Sequence, residues 1–240
     1  MLRRAFVFVP ILMMSTAPAF AQAHGEVTGT IGWTFSDGVS FSQTFISPVN
    51  GGTYNRADPK DSVSFGFGAG FYINKNAEVE FMWNRQMSKL EVAGGTGPTL
   101  SGDMNIDTYH GNFVYNVGES DQKLRPFFYI GLGATNYGDA SFPQQTVTGT
   151  TKFSWALGAG VKAFMSQHAG IRAAVRWVPT YIKTDAAGWW CDPFWGCVPA
   201  GNVQYSNQFE LSGGVVVRFE PEPEPQPQPL PEPQPSAERR

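Results

Sequence analysis

Charged side chains of both signs fall in step with small and apolar residues along several stretches of this chain. Glu78 and Glu80 are two positions apart and Arg172 and Arg176 four, while Lys162, Glu210 and Arg218 lie in runs of the same alternation, as does His110. In an extended strand, residues two apart share a face, so these charges line one side of a sheet whose other side is apolar. Carboxylates and cations enclosed together must pair, because an isolated ion away from water is costly. Two readings follow. Either the charges close a static polar core, or they line a gated or narrow conducting path in which the pairs exchange partners.

A second set of candidate residues lies in the segment GWWCDPFWGCVP, which holds Cys191 and Cys197, the chain's two cysteines. In an oxidising compartment they form a disulfide, and a ring this short is worth about 2–3 kcal/mol on the loop-entropy model. Its aromatics, Trp189, Trp190, Phe194 and Trp195, form either an exposed contact surface for a partner, glycan or apolar ligand, or a cluster folded over the end of the fold. Two cysteines without a nearby histidine supply too few ligands for a metal, and nothing calls for a cofactor. Catalysis needs a nucleophile, a base and an orienting group within reach. The histidines, His24, His110 and His168, show no adjacent Ser or Asp motif, so the expectation is a protein that is not an enzyme.

These residues are positioned by eight stretches of period-two alternation. They run from Glu26 to Phe35, from Ser62 to Tyr72, around Glu78 to Asn84, from about Asp103 to Val117, around Phe127 to Ala134, from about Lys152 to Phe164, around Ile171 to Trp177, and from Gln204 to Phe219. Connectors after the first, third, fifth and seventh are long, and the others, such as INKN and SQHA, are short. This is the pattern of an all-β, eight-stranded antiparallel up-and-down transmembrane β-barrel with short periplasmic turns and long extracellular loops. Tracing the strands puts Trp33, Trp83, Trp155 and Trp177 in an outer girdle and Phe71, Tyr115, Phe128 and Phe219 in an inner one. Inward glycines (Gly66, Gly68, Gly70, Gly131, Gly133, Gly158 and Gly160) leave room for Phe127, Tyr129 and the arginines. Pro179 cannot donate a ladder hydrogen bond, so the seventh strand is expected to bulge or unpair from there upward.

Residues 1–23 read as a secretory signal: Arg3 and Arg4, an apolar run, then small residues, with cleavage after Ala21 or Ala23. The barrel occupies 24–219, and 220–240 is a Pro-rich periplasmic tail of extended conformation. Net charge is −3, without a basic cluster, which excludes nucleic acid as a partner.

The segments TYHGNFVYNV, RPFFYIGLGA and FELSGGVVVRF resemble the small eight-stranded outer-membrane barrels related to outer membrane proteins A and X. The resemblance implies a monomer in Gram-negative outer-membrane lipid, with Phe219 as the terminal aromatic that the barrel assembly machinery recognises. In the outer membrane protein A type, a Pro-rich linker leads to a peptidoglycan-binding domain, whereas this tail stops at Arg240. The expected role is structural or adhesin-like, through a surface ligand or a periplasmic partner. The alternative is a low-conductance pore or a transporter of small, apolar molecules, as in the outer membrane protein W type.

Overall fold

The structure, a computed structural model, describes residues 25–46, 51–119, 122–143, 145–182, 191–192, 196–197 and 204–219. The segments read as signal and tail lie outside these residues. In chain order the strands are β1 (Gly25–Ser36), β2 (Val39–Ile46), β3 (Thr53–Pro59), β4 (Ser62–Tyr72), β5 (Ala77–Ala93), β6 (Leu100–Asn116) and β7 (Leu124–Tyr137). There follow β8 (Ala140–Phe142), β9 (Gln145–Val147), β10 (Thr150–Phe164), β11 (Ala169–Ile182), β12 (Cys191–Asp192), β13 (Gly196–Cys197) and β14 (Gln204–Phe219).

Eight of these strands close a ring in the order β1, β4, β5, β6, β7, β10, β11, β14 and back to β1. Every neighbour is antiparallel, and the seam runs without a register shift from Gly25↔Phe219 to Ser36↔Gln208. A closed ring leaves no strand edge unpaired, which the hydrocarbon interior of a membrane requires. Ile31, Phe67, Phe81, Phe113, Ile130, Leu132, Leu157, Val175 and Leu211 are exposed on the outside and form the lipid-facing band.

The expected girdles lie at the two ends of that band. Trp155 meets Trp177 at 4.9 Å and Trp177 stacks on Phe209 at 6.0 Å, while Tyr115 and Phe128 pair at 5.3 Å towards the other end. The short turns are set locally. Asn74 Oδ1 accepts the amides of Asn76 and Ala77 at 2.9 and 2.8 Å, and Ser166 Oγ accepts that of Ala169 at 3.0 Å.

The strands outrun the expected ones where they leave the lipid. The third barrel strand, read around Glu78 to Asn84, continues to Ala93, because Gln86, Ser88, Leu90 and Val92 keep the inward phase while Arg85, Met87 and Lys89 face outward. Once both faces carry polar residues, hydropathy alternation no longer marks a strand. The boundary is visible on the wall. Arg85 makes two 2.8 Å hydrogen bonds to Asp107, and Trp83 Nε1 donates to the same carboxylate at 3.2 Å. Within the stretch expected as one long loop, β2 and β3 form a hairpin, and β3 takes over from β4 beside the upper part of β5, from Pro59↔Leu90 to Arg56↔Ala93.

The Pro179 expectation needs correction. β11 stays paired to β14 through Pro179↔Asn207 up to Ile182↔Gln204. On the β10 side the partners lapse opposite Trp155 and Ala156 and resume at Ser154↔Thr180 in unchanged register. The missing N–H therefore costs a local gap on one side and produces no bulge.

Placing Arg at Ile31, mid-band, is expected to destabilise the barrel by about 2–4 kcal/mol, and at Ile73, in a periplasmic turn, by about 0–1 kcal/mol. Reversible unfolding in vesicles measures both, and equal losses would contradict this membrane placement.

Candidate functional site in the barrel lumen

The inward phase of the eight barrel strands collects the charged residues. Glu78, Glu80, Lys162, Arg172, Arg176, Glu210 and Arg218 are all buried, Lys162 completely. They are arranged in tiers, each with its own carboxylate and cation.

At the periplasmic end Glu26 is the hub. Arg218, its direct partner across the β1–β14 seam, donates from Nε and an η nitrogen to Oε1 at 3.0 Å each, and Tyr72 Oη donates to the same oxygen at 2.5 Å. Lys162 reaches across the lumen to hydrogen-bond Glu26 Oε2 and, at 2.9 Å, Glu78 Oε2. Asn116 Nδ2 also donates to Glu78 at 3.1 Å. In the next tier Arg172 forks onto both oxygens of Glu80, with Asn112 at 3.2 Å and the Phe127 ring 4.5 Å from the guanidinium carbon. Above it Arg176 binds Glu210 at 2.5 Å, and Asn84 donates to Glu210 at 3.2 Å. Charge-assisted, partly bidentate bonds of this kind offset the cost of burying each ion.

The tiers fit because the facing strands carry no side chain there. A Cβ at Gly70 would lie 2.0 Å from Glu78 Oε1, one at Gly131 2.0 Å from Asn112 Oδ1, and one at Gly158 about 2.4 Å from the Tyr129 ring. The expectation that the glycines make room for Phe127 and Tyr129 holds at Gly160 and Gly158, where those rings are the side chains in contact. Gly68 and Gly70 on β4 accommodate carboxylates instead, because Glu80 and Glu78 sit on the neighbouring strand β5 and turn inward over them.

Above the charges a polar tier links Gln208 to Gln86 at 2.9 Å and Thr180, Thr135, Ser154 and His110 in one chain of 2.9–3.0 Å contacts. No sequence motif places a serine or aspartate beside His110, but the fold does bring a serine to it: Ser154 Oγ lies 3.0 Å from His110 Nε2, contributed by a strand remote in sequence. Both side chains are buried, and His110 Nδ1 has no hydrogen-bond partner among the described residues. A cavity of about 10 Å³ beside Arg176, lined also by Thr34, Thr108 and Gln208, has room for one water. At the extracellular end the filling turns apolar, with Tyr54, Leu90, Met104, Ile106, Tyr137 and Ile182 in one buried cluster.

Glu26 and Arg125 were missed in the sequence. Their signal was phase alone: Glu26 is in step with inward Thr28 and Thr30, and Arg125 with Phe127 and Tyr129. Phe219 ends β14 opposite Gly25 and is exposed. The backbones of Cys191 and Cys197 are paired in the β12–β13 ladder, while Trp189, Trp190, Phe194 and Trp195 lie outside the described residues. Replacing Gly70 by Val should cost about 1–3 kcal/mol through overpacking against Glu78, read from the unfolding midpoint in lipid. An unchanged midpoint would contradict the tight fit.

The family model for the outer membrane protein beta-barrel domain matches residues 6–219. Among solved structures, the outer membrane protein OprG from Pseudomonas aeruginosa is similar at 13% identity and a TM-score of 0.61, covering 83% of this chain and 97% of that one. The outer membrane protein AlkL, solved in lipid bilayers, aligns at 15% identity and a TM-score of 0.51 over 83% of this chain and 91% of its own. Neisserial surface protein A aligns at 15% and 0.49, covering 82% and 97%. No curated protein matches the chain. With a closed ring of eight antiparallel strands, a lipid-facing band and a family match over most of its length, the chain belongs to the outer membrane protein beta-barrel domain family and resides in the cell outer membrane.

Proposed function

We propose that this protein is a closed, monomeric barrel that stabilises the outer membrane and presents its extracellular end to a partner at the cell surface. The observation that carries the reading is the matching of carboxylates and cations tier by tier, topped by the apolar cluster. Charges of opposite sign at one height fill a narrow lumen, whereas charges segregated by height would line a path.

The surface role rests on the extracellular loops. The β2–β3 hairpin extends the wall beyond the lipid band, and the Cys191↔Cys197 register suits a disulfide that fixes the shape of the aromatic loop. In this reading Trp189, Trp190, Phe194 and Trp195 form the contact surface, Phe219 serves the assembly machinery, and the buried His110–Ser154 contact performs no chemistry.

The test is single-channel recording of the mature protein in planar bilayers. The proposal predicts no discrete currents. Steps that change in size when Glu78 and Glu80 are replaced by Gln would overturn it in favour of a small pore.

A further inference from the structure

We infer that the outer wall of β10, β11 and β14 holds one glycolipid of the outer leaflet, its acyl chain in a groove between these strands and its saccharide on the aromatic strip above. The groove has a volume of about 620 Å³ and is lined on the lipid side by Ala159, Val161, Ala173, Val175 and Leu211. Ligand pockets span about 300–1,000 Å³, so the space suits one chain. Elsewhere the band carries bulky side chains such as Phe67, Phe81 and Phe113.

Gly213, the direct partner of Ala173, continues the floor of the groove. Its φ is outside the left-handed region, and a Cβ built there would meet nothing nearer than 4.0 Å, so neither backbone nor packing calls for glycine. A strand glycine of this kind weakens the strand and marks a place where something approaches the backbone closely. A chain lying in the groove gains dispersion contacts from its walls as well as its floor, which a chain on a flat wall does not.

The headgroup class follows from what stands at the extracellular end of the groove. Trp177, opposite Leu157 and Phe209, closes it, and Trp177 Nε1 donates to Asn207 Oδ1 at 3.1 Å, which fixes the indole at the rim. Further up the same two strands Tyr181 and Tyr205 meet edge to face at 5.7 Å, with Tyr205 half exposed. On the opposite wall, four strands round, the outer face has by then turned ionic with Arg85, Asp107, Lys89 and Asp103. The outward positions of β10, β11 and β14 carry no charged residue among the described residues. A headgroup phosphate finds no cation on this strip, whereas a sugar lays its C–H face on a tyrosine ring and hydrogen-bonds the phenol hydroxyls. The strip continues the lipid-facing band without a break, so its occupant comes from the membrane.

Photolabelling of the full mature chain in phosphatidylcholine nanodiscs tests this, with a small fraction of monogalactosyl diacylglycerol carrying a diazirine in one acyl chain and peptide mass spectrometry as the readout. Labelling is expected to concentrate on the peptides of β10 and β11 that hold Ala159 and Ala173, over those of β4 and β5 that hold Phe67 and Phe81. It should exceed labelling by the same diazirine chain on phosphatidylcholine about fivefold, the effect of one net hydrogen bond. Ala173→Phe, which fills the groove, should abolish it, and Tyr205→Ala should reduce the glycolipid to the phosphatidylcholine level. Labelling spread evenly round the band, or equal for the two probes, would overturn the proposal without any variant having to fold. So would loss of groove labelling in discs holding two copies, which would assign the face to a second chain.

Discussion

An ionised carboxylate inside a membrane-embedded ring survives only against a cation at hydrogen-bond distance, and that requirement organises this molecule. The lumen of eight strands is just wide enough for side chains to fill, so the glutamates cannot keep a hydration shell of bulk water. Glu26 shows the consequence most fully. It ties β1 to β14 through Arg218, reaches β10 through Lys162 and takes a hydroxyl from Tyr72 on β4. Ion pairing therefore acts at the seam where the ring closes as well as across its interior.

The rest of the architecture accommodates these tiers. Glycines on β4 make space for glutamates on β5, and those on β10 make space for aromatic rings on β7. The Phe127 ring lies against the Arg172 guanidinium, and the Phe164 ring lies 3.9 Å from that of Arg218, so the cations are held by faces as well as by carboxylates. Towards the cell exterior the outer wall turns polar at Arg85 and Asp107, while the interior turns apolar around Leu90 and Ile106. In lipid the barrel is apolar outside and polar inside. Above the lipid that order reverses, and the upper part is stabilised like a water-soluble β-protein by burial of its own core.

Much of this was legible in the sequence, because one physical contrast, lipid against lumen, repeats along eight strands and prints period-two alternation wherever it acts. The inward set from Glu78 to Arg218 followed from phase alone. Glu26 and Arg125 escaped because they sit at the starts of β1 and β7, where alternating neighbours lie on one side only and establish the phase weakly. The β2–β3 hairpin and the upper half of β5 escaped for a related reason: above the lipid, Arg85 and Lys89 stand where alternation calls for apolar residues. The Ser154–His110 contact joins strands 44 positions apart, and no local motif reports such a pairing.

Interior ion pairs that hold the barrel together must be energetically coupled as well as adjacent. A double-mutant cycle on Glu80→Gln and Arg172→Gln, read as unfolding free energy in lipid, measures that directly. Each single change leaves a buried charge unpaired and should cost about 3–5 kcal/mol, and the double variant should cost well below the sum. Additive losses, with coupling within about 0.5 kcal/mol of zero, would mean that the two charges do not hold each other in the lumen and would contradict pairing as the organising constraint.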